Sequence, residues 1–290
     1  MIIVQLRGGM GNQMFQYAAG RCLSLRHKVP LKLDLSPFQN DKLRNYSLSA
    51  FTIAEEFAGP ADLERVKTPF SNLKNVLTGL RSSFGGMVPI GYKKETQFQV
   101  DPEFFHLPDN TYLEGYWQSE KYFKEIEWTI RNDFLMKVSL NNNEGIAEKI
   151  KNCNAVSVHI RRGDYISNPE TRKTHGVCNP EYYKNAADIM AQGLTDPEFF
   201  IFSDDIGWAK KNLELPAPFH FVTDQNSSNE HDDLQLMTLC RHHIIANSSF
   251  SWWGAWLSQN PDKIIIAPKK WFSRPELDTR DLIPDSWCRI

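Results

Sequence analysis

Two arginines and an aspartate within four residues are the feature of this sequence that most directly indicates chemistry. Arg161, Arg162 and Asp164 follow the apolar run "AVSVHI". Arginine stays protonated in proteins, so two of them beside a buried strand require an anionic partner. We expect Asp164 to satisfy one guanidinium, either as a purely structural ion pair or as the support of a site. The other guanidinium then faces a cleft, where its planar fork suits a phosphate.

Three further polar clusters follow apolar runs in the same way. "GGMGNQ" follows "IIVQL", "SDD" follows "EFFIF", and "NSSFS" follows "HIIA". Because ligands of open parallel sheets bind beyond the carboxyl ends of the strands, these clusters predict a site. The first and third precede helices, whose N–H groups suit an anion, although tight glycine turns and N-capping by Ser248 or Ser249 are structural alternatives. Asp204 and Asp205 fit either a helix cap or a hydrogen bond to a sugar or base.

Together the clusters indicate a diphosphate ligand. Arg7 adds positive charge near the glycine-rich cluster, and Asn12 adds a side-chain donor. No acidic metal-binding motif stands out. Arginines without a metal suit the departure of a diphosphate leaving group, because their charge stabilises the negative charge that develops on the phosphates. The remaining conspicuous side chains are expected in the core or at ordinary surface positions: His242, His243, Trp252, Trp253 and Trp256.

The elements that position these residues alternate along the chain. Short apolar runs predict strands, and Met14, Phe15, Ala18, Ala19, Cys22 and Leu23 lie at helical spacing. After a polar linker signal, "LNNNEG", strands and helices alternate, which is typical of parallel βαβ units. Residues 36–110 contain many prolines and predict mixed short helices and loops. The predicted fold class is α/β, with two Rossmann-like domains at residues 1–145 and 146–290.

Composition excludes several function classes. The 33 basic and 35 acidic residues give a net charge of −2, which does not support nucleic-acid binding. Five scattered cysteines argue against a disulfide framework or a zinc cluster and favour a reducing compartment. No signal peptide and no membrane-spanning apolar stretch are evident. We therefore expect a cytoplasmic protein.

Four motifs together resemble the bacterial α-1,2-fucosyltransferases of glycosyltransferase family 11. They are "QLRGGMGNQMFQYAAG", "HIRRGDY", "SDD" and "ANSSFSWWGAWLS", and the resemblance extends in order from Ile3 to about Lys270. It implies a GT-B-type architecture in which the second domain binds GDP-L-fucose and the first binds the acceptor. The implied reaction is inverting transfer of L-fucose to the 2-hydroxyl of a terminal β-galactoside, with no cofactor and no obligatory metal.

The resemblance also implies roles for individual residues. Arg161, Asn12 and Asp164 form the catalytic set, in which Arg161 grips the β-phosphate of the donor. The other implied donor contacts are Gly9 and Gly11 near the β-phosphate, His159 and Arg162 in the arginine loop, Asp204 and Asp205 near the nucleoside, and Ser248, Ser249 and Ser251 at phosphate oxygens.

No general base is assigned by these motifs. Attack by a sugar hydroxyl normally uses one, and Asp34 and Glu114 fit by position, although a donor phosphate oxygen could take the proton. Asp34, Glu114 and Trp117 are predicted to bind the acceptor.

Two alternatives stay open. The chain could be a fucosyltransferase of the same clan with another linkage or acceptor, or a non-catalytic nucleotide- or sugar-binding module. A bacterial enzyme of this kind is expected in surface-glycan synthesis, either free in the cytoplasm or peripheral at the inner face of the membrane.

Overall fold

The computed structural model describes residues 1–65, 91–138, 140, 143–222 and 230–290. Within them the chain divides into two units, Met1–Leu135 and Met136–Ile290. This boundary lies before the one predicted at residue 145. The reason is packing, because Leu140 is buried in the core of the second unit, in one cluster with Phe200.

The first unit is built on a parallel sheet. Its described helices and strands are β1 (Ile2–Gln5), α1 (Met10–His27), β2 (Leu31–Asp34), β3 (Gly91–Lys94), β4 (Thr111–Glu114) and α2 (Glu127–Asp133). The described strands lie in the order β2-β1-β4-β3, and each neighbouring pair is parallel. Gln5 at the end of β1 is in register with Asp34 at the end of β2, so the carboxyl ends of the strands meet at one edge.

Helix α1 forms where the apolar spacing predicted it. The six residues of the predicted face are all buried, and the helix ends at Lys28, which adopts a left-handed conformation with φ 56°. Strand β3 was not predicted, because its sequence "GYKK" alternates between half-buried and exposed positions and contains no apolar run. Short 3-10 turns occur in the segment predicted as mixed helices and loops, of which residues 66–90 lie outside the described residues.

The second unit follows the predicted alternation of strands and helices. Its described elements are α3 (Glu144–Lys151), β5 (Asn154–Ile160), α4 (Gly163–Ser167), α5 (Pro169–His175), α6 (Pro180–Gly193), β6 (Pro197–Ser203), α7 (Ile206–Asn212), β7 (Phe219–Phe221), α8 (Glu230–Leu239), β8 (His242–Ile244), α9 (Ser249–Leu257), β9 (Ile265–Ala267) and β10 (Cys288–Arg289).

The described strands of this unit lie in the order β10-β9-β8-β5-β6-β7, and all neighbouring pairs are parallel. Side chains of the central strand alternate between two cores. Val156 and Val158 pack with Tyr183 of α6, whereas Ala155 packs with Leu236 of α8. Helices therefore cover both faces of the sheet, as parallel sheets require. Strand β10 was not predicted, since two residues give no periodic signal.

Two predictions about core residues are confirmed. Trp252, Trp253 and Trp256 of α9 are buried, and His243 is fully buried with its Nδ1 2.7 Å from the hydroxyl of Ser157. No helix among the described residues combines the length and apolar character needed to cross a bilayer.

Candidate functional site

Arg161 begins the loop after β5 and is held between two carboxylates. Its Nη2 lies 2.6 Å from Oδ1 of Asp164, and its Nη1 lies 3.0 Å from Oδ2 of Asp204, which follows the neighbouring strand β6. Only 22% of the side chain is exposed. Burial works against the charge, but Asp204 and Asp164 outweigh it and raise the pKa of Arg161 above its ordinary value. Arg161 is thus a fixed positive charge of known orientation.

Arg162 is held by the other aspartate of the pair. Its Nε lies 3.1 Å from Oδ2 of Asp205, and its guanidinium carbon lies 4.1 Å from the ring centroid of Trp208. Its backbone N–H also donates to Oδ1 of Asp204 over 2.8 Å. Asp205 caps α7 by accepting from the N–H of Trp208 over 3.0 Å. Of the two roles left open for Asp205, the structure therefore contains the cap.

Asp164 pairs with one of the two arginines, Arg161, as expected, but the other arginine is paired with a carboxylate as well. Both guanidiniums are paired, because the end of β6 delivers Asp204 and Asp205 beside the end of β5. The cluster holds two arginines (+2) and three aspartates (−3), a formal charge of −1. An anion that binds here competes with these carboxylates for the positive charge of the guanidiniums.

His159 lies on β5, one residue before the strand ends, and is 5% exposed. Its ring packs at 5.3 Å from the ring of Phe250 in the first turn of α9. Burial, aided by the charge of Arg161, lowers the pKa of His159 to about 3. Its Nδ1 is buried without a hydrogen-bond partner among the described residues. His159 is therefore a neutral imidazole at physiological pH.

The serines that follow β8 differ from one another. Ser248 is the N-cap residue of α9, but its side chain makes no capping hydrogen bond. Its hydroxyl is thus not committed to the helix, and Ser249 begins the helix beside it. Ser251 is fully buried, with its hydroxyl 3.2 Å from the carbonyl of Ser248. The predicted phosphate contact of Ser251 does not fit this structure, because its hydroxyl is turned to the backbone.

In the first unit, the glycine-rich cluster forms the turn into α1. Gly8 has a left-handed φ of 78°, and a Cβ there would lie 2.7 Å from Nδ2 of Asn12. Gly9 is the N-cap residue, and Gly11 is buried in the first helical turn. Oδ1 of Asn12 accepts from Nε2 of Gln118 over 2.7 Å, which orients the amide.

Several residues near this turn were missed by sequence reasoning. Gln118 is 7% exposed and comes from the segment after β4. The guanidinium of Arg44 approaches Gly9, since a Cβ on that glycine would lie 3.7 Å from Nη1. Neither residue belongs to a local motif, so only the folded chain brings them to the start of α1. Arg44 adds a second positive side chain, beside Arg7, to the carboxyl edge of this sheet.

Glu95, after β3, organises the loop after β4. Its carboxylate accepts from the backbone N–H groups of Tyr116 and Trp117 over 2.6 and 3.0 Å. Burial raises the pKa of Glu95 above its ordinary value, against the effect of those two hydrogen bonds. The ring of Tyr116 in turn lies 4.6 Å below the guanidinium carbon of Arg7. Glu95 thereby fixes the backbone of Tyr116, whose ring packs against the guanidinium of Arg7.

The three predicted acceptor residues lie in different surroundings. Asp34 is 2% exposed and accepts from the hydroxyl of Tyr112 over 2.7 Å. Glu114 is partly exposed. Burial acts to raise the pKa of Glu114, but hydrogen bonds from Lys94 and Tyr92 outweigh it and hold the pKa below its ordinary value. Glu114 is thus an ionised carboxylate near the carboxyl edge of the sheet.

The predicted contact of Trp117 with the acceptor does not fit the structure. Trp117 is fully buried, with its ring 5.2 Å from Phe104 and 5.4 Å from Tyr122. Its backbone has a φ of 55°, stabilised by the hydrogen bond from its N–H to Glu95. Trp117 contributes to core packing and to the conformation of the loop after β4.

Among the described residues, no group of three or more histidine, cysteine, aspartate or glutamate side chains is arranged to hold a metal ion. The five cysteines are all unbridged thiols.

Comparison with known proteins identifies relatives along the whole chain. The family model described as Glycosyl transferase family 11 matches residues 87–290. The chain is 35% identical to an Escherichia coli alpha-1,2-colitosyltransferase over 100% of this chain and 99% of that protein. It is 33% identical to the Escherichia coli O-antigen biosynthesis glycosyltransferase WbnK, covering 98% of this chain and 99% of that protein.

A solved structure supports the predicted fold. The chain is similar to Arabidopsis thaliana FUT1 in complex with GDP, with a TM-score of 0.55, 10% sequence identity, and coverage of 99% of this chain and 75% of that one. The prediction of two Rossmann-like α/β domains of the GT-B type is confirmed.

Proposed function

The chain belongs to glycosyltransferase family 11, and we propose that it transfers L-fucose from GDP-L-fucose to the 2-hydroxyl of a terminal β-galactoside, with inversion. The resemblance of its motifs to α-1,2-fucosyltransferases supports the donor. The 1,2 linkage is also the one in the name of the Escherichia coli colitosyltransferase. The acceptor is a β-galactoside oligosaccharide or glycolipid of a bacterial surface glycan such as an O-antigen.

The observation that carries this proposal is the placement of Arg161. It is a mostly buried cation at the carboxyl end of β5, beside the strand that leads to the N-terminus of α9. A diphosphate leaving group gains negative charge as its bond to the sugar breaks. A fixed guanidinium and helix N–H groups stabilise that charge without reorganising.

The second unit supplies the donor-binding residues in this proposal. Arg161 takes the β-phosphate, Ser248 and Ser249 offer a hydroxyl and N–H groups to phosphate oxygens, and neutral His159 contacts the nucleotide. Asp204 releases Arg161 when the phosphate arrives. In the donor the β-phosphate has two non-bridging oxygens and one negative charge, as a carboxylate has, and it gains a third terminal oxygen and further charge as the bond to fucose breaks. The guanidinium fork therefore binds the leaving group more strongly than the intact donor.

The first unit supplies the acceptor-binding residues. The amide of Asn12, oriented by Gln118, lies at the start of α1 and acts near the reacting carbon. Glu114 is the ionised and more accessible of the two predicted carboxylates. Asp34 is buried and accepts hydrogen bonds from the hydroxyl of Tyr112 and the N–H of Ser36. It therefore has a structural role at this edge of the sheet. The proton of the attacking hydroxyl goes to Glu114 or to a phosphate oxygen of the donor.

The test is a direct assay with purified protein, GDP-L-fucose and lactose, followed by linkage analysis of the product. We expect a fucosyl-α-1,2-galactoside. In Arg161→Ala, kcat/KM should fall by about 30-fold to about 1000-fold, equivalent to about 2–4 kcal/mol of transition-state stabilisation. Arg172→Ala, on the neighbouring helix α5, is the matched control. A protein that binds GDP but gives no turnover with any β-galactoside would be a binding module instead.

A second candidate is transfer of colitose rather than fucose. The 35% identity with the colitosyltransferase over the full chain favours it specifically. The same assay with a nucleotide-activated colitosyl donor separates the two, since the preferred donor has the higher kcat/KM. A product linked through another position would instead indicate a clan member with a different linkage.

A further inference from the structure

A pocket opens at the carboxyl edge of the second sheet, beyond β8 and β9. Its volume is about 360 Å³, which is in the range of sites for small ligands. The lining residues that matter for its chemistry are His175, Tyr182, Asn247, Lys269, Lys270 and Phe272. Of these residues, only Asn247 belongs to a cluster that the sequence analysis singled out, "NSSFS".

The walls of this pocket are held in place by one buried amide. Asn247 is 2% exposed, and its Nδ2 donates to the carbonyls of His175 and Trp271 over 2.9 and 3.0 Å. Gly176 has a left-handed φ of 65°, and a Cβ there would lie 2.4 Å from Oγ of Ser273. The loops that contain Gly176 and Ser273 therefore pack tightly against each other, and these contacts within the chain form the walls of the pocket.

Aromatic rings form part of the lining. The ring of His175 lies between Tyr165, stacked at 4.6 Å, and Phe272 at 5.1 Å. The hydroxyl of Tyr182 donates to the carbonyl of Ile245 over 2.7 Å, which fixes its ring. Fixed aromatic rings beside polar groups suit a pyranose ring, which has apolar C–H faces and hydroxyls at its edge.

The formal charge of the lining side chains is positive. Lys269 and Lys270 are exposed, and no aspartate or glutamate occurs among the described residues that line the pocket. Burial lowers the pKa of His175 and raises the pKa of Cys178 to about 11, so both are neutral at pH 7. A guanine edge, which donates from N1–H and an amino group, has no aspartate or glutamate side chain to donate to among these lining residues. An anionic group finds two ammonium partners.

The pocket adjoins the arginine cluster within the same unit. The guanidinium carbon of Arg161 lies 5.5 Å from the ring centroid of Tyr165, and Tyr165 stacks on His175. The hydroxyl of Tyr165 also donates to the carbonyl of Asn247 over 3.2 Å. A ligand in the pocket would thus lie next to the groups proposed to hold the donor phosphates.

We propose that this pocket binds the acceptor glycan beyond its terminal galactose, and that Lys269 and Lys270 select acceptors carrying an anionic group, a phosphate or a carboxylate. The inference rests on the proposed function, because it assigns part of the acceptor of that reaction. It predicts a preference for charged β-galactosides over neutral ones.

The experiment compares three probes: lactose, lactose 1-phosphate and lactobionate. KM for transfer is measured with each, and binding of each in the presence of GDP is measured by calorimetry. In the wild type we expect KM and Kd to be about fivefold lower for the anionic probes than for lactose, which is the size of one partly screened ion pair. In the double variant Lys269→Ser/Lys270→Ser this preference should disappear. A preference for lactose 1-phosphate alone would assign the site to phosphate, and a preference for both would assign it to anions in general.

The matched control is Lys149→Ser/Lys151→Ser, which removes the same charge from α3, at the opposite edge of the same sheet. It should keep the wild-type preference. The proposal is overturned if the wild type has no preference, if the preference survives in the Lys269/Lys270 variant, or if that variant loses GDP affinity, since the lysines would then serve the donor. Failure of the proposed function looks different: no probe is fucosylated, while the calorimetric comparison still tests the pocket.

Discussion

Nη1 of Arg161 lies 3.0 Å from Oδ2 of Asp204, and this pair joins the carboxyl ends of the neighbouring strands β5 and β6. The same guanidinium also contacts Asp164. Two carboxylates are one more than charge neutrality at Arg161 requires. The pair with Asp204 is therefore the contact that an incoming phosphate replaces most readily, since Asp164 lies only three residues away in the same loop.

Asp204→Asn should strengthen GDP binding. The substitution removes a competing negative charge, while an amide oxygen still accepts from the N–H of Arg162. Kd for GDP should fall by about three- to tenfold at low salt and by less at high salt, because exposed charges are screened. Calorimetry measures this change. Asp196→Asn, at the amino end of the same strand, is the control and should leave Kd unchanged.

The opposite result for Asp204→Asn is equally informative. The family resemblance predicted Asp204 near the nucleoside. If the variant binds both GDP and guanosine more weakly, Asp204 contacts the nucleoside and does not compete with the phosphate.

Gly163→Ala should act through Asp204. A Cβ on Gly163 would lie 2.8 Å from Oδ2 of Asp204, so the methyl group pushes that carboxylate away from Arg161. We expect a smaller increase in GDP affinity than in Asp204→Asn, and no further effect of the alanine in an Asp204→Ala background, as coupled neighbours require. Gly207→Ala, whose added methyl meets nothing within 4 Å, is the control. If the effects of Gly163→Ala and Asp204→Ala on GDP affinity were additive, this coupling would be contradicted.

The main elements of the candidate site were predictable because they carry local signals in the sequence. The run "AVSVHI" is apolar and β-branched, and the residues that follow it are charged, so the end of β5 and its arginines were both predictable. Helices α1 and α9 were predictable for the same reason, since their buried faces repeat at helical spacing.

The contacts that complete the site carry no such signal. Glu95 accepts a hydrogen bond from the N–H of Trp117, which lies 22 residues later in the sequence. Gln118 donates to Asn12, which lies 106 residues earlier. These pairs form only when the strands are aligned in the folded chain, so residue spacing in the sequence does not predict them. The same is true of Asp204, whose pairing with Arg161 after β5 depends on strand register. Ser251 was misjudged because a hydroxyl one helical turn from an N-terminus can bond to the backbone instead of a ligand.

Transfer should proceed in the presence of EDTA. In the proposed mechanism Arg161 and the N-terminus of α9 supply the positive charge that a metal supplies in other transferases. Initial rates of fucosyl-lactose formation, measured by chromatography of the product, should change by less than about twofold, within the scatter expected where no charge stabilisation is lost. Loss of activity that Mg²⁺ or Mn²⁺ restores would show that a metal takes part.

His159→Gln should make the protein less sensitive to acid. Burial lowers the pKa of His159 to about 3, so the folded protein leaves this ring neutral while the unfolded chain protonates it below its ordinary value of 6.5. The unfolded state then binds one more proton, and the free energy of unfolding falls as pH falls from 6.5 towards 3. From about pH 7 to about pH 5 this single group costs the wild type ~2 kcal/mol. The variant should lose that part of the pH dependence.

Urea unfolding followed by circular dichroism at several pH values measures the difference between the two proteins. Asp233 acts in the opposite direction, because burial raises its pKa to about 7, but it is common to both proteins and cancels. His106→Gln, an exposed histidine with 75% of its side chain accessible, is the control and should run parallel to the wild type. Parallel curves for His159→Gln as well would mean that His159 keeps its ordinary pKa in the folded protein and takes up a proton between pH 7 and pH 5. The proposal of an imidazole that stays neutral at the nucleotide across this range would then have to be abandoned.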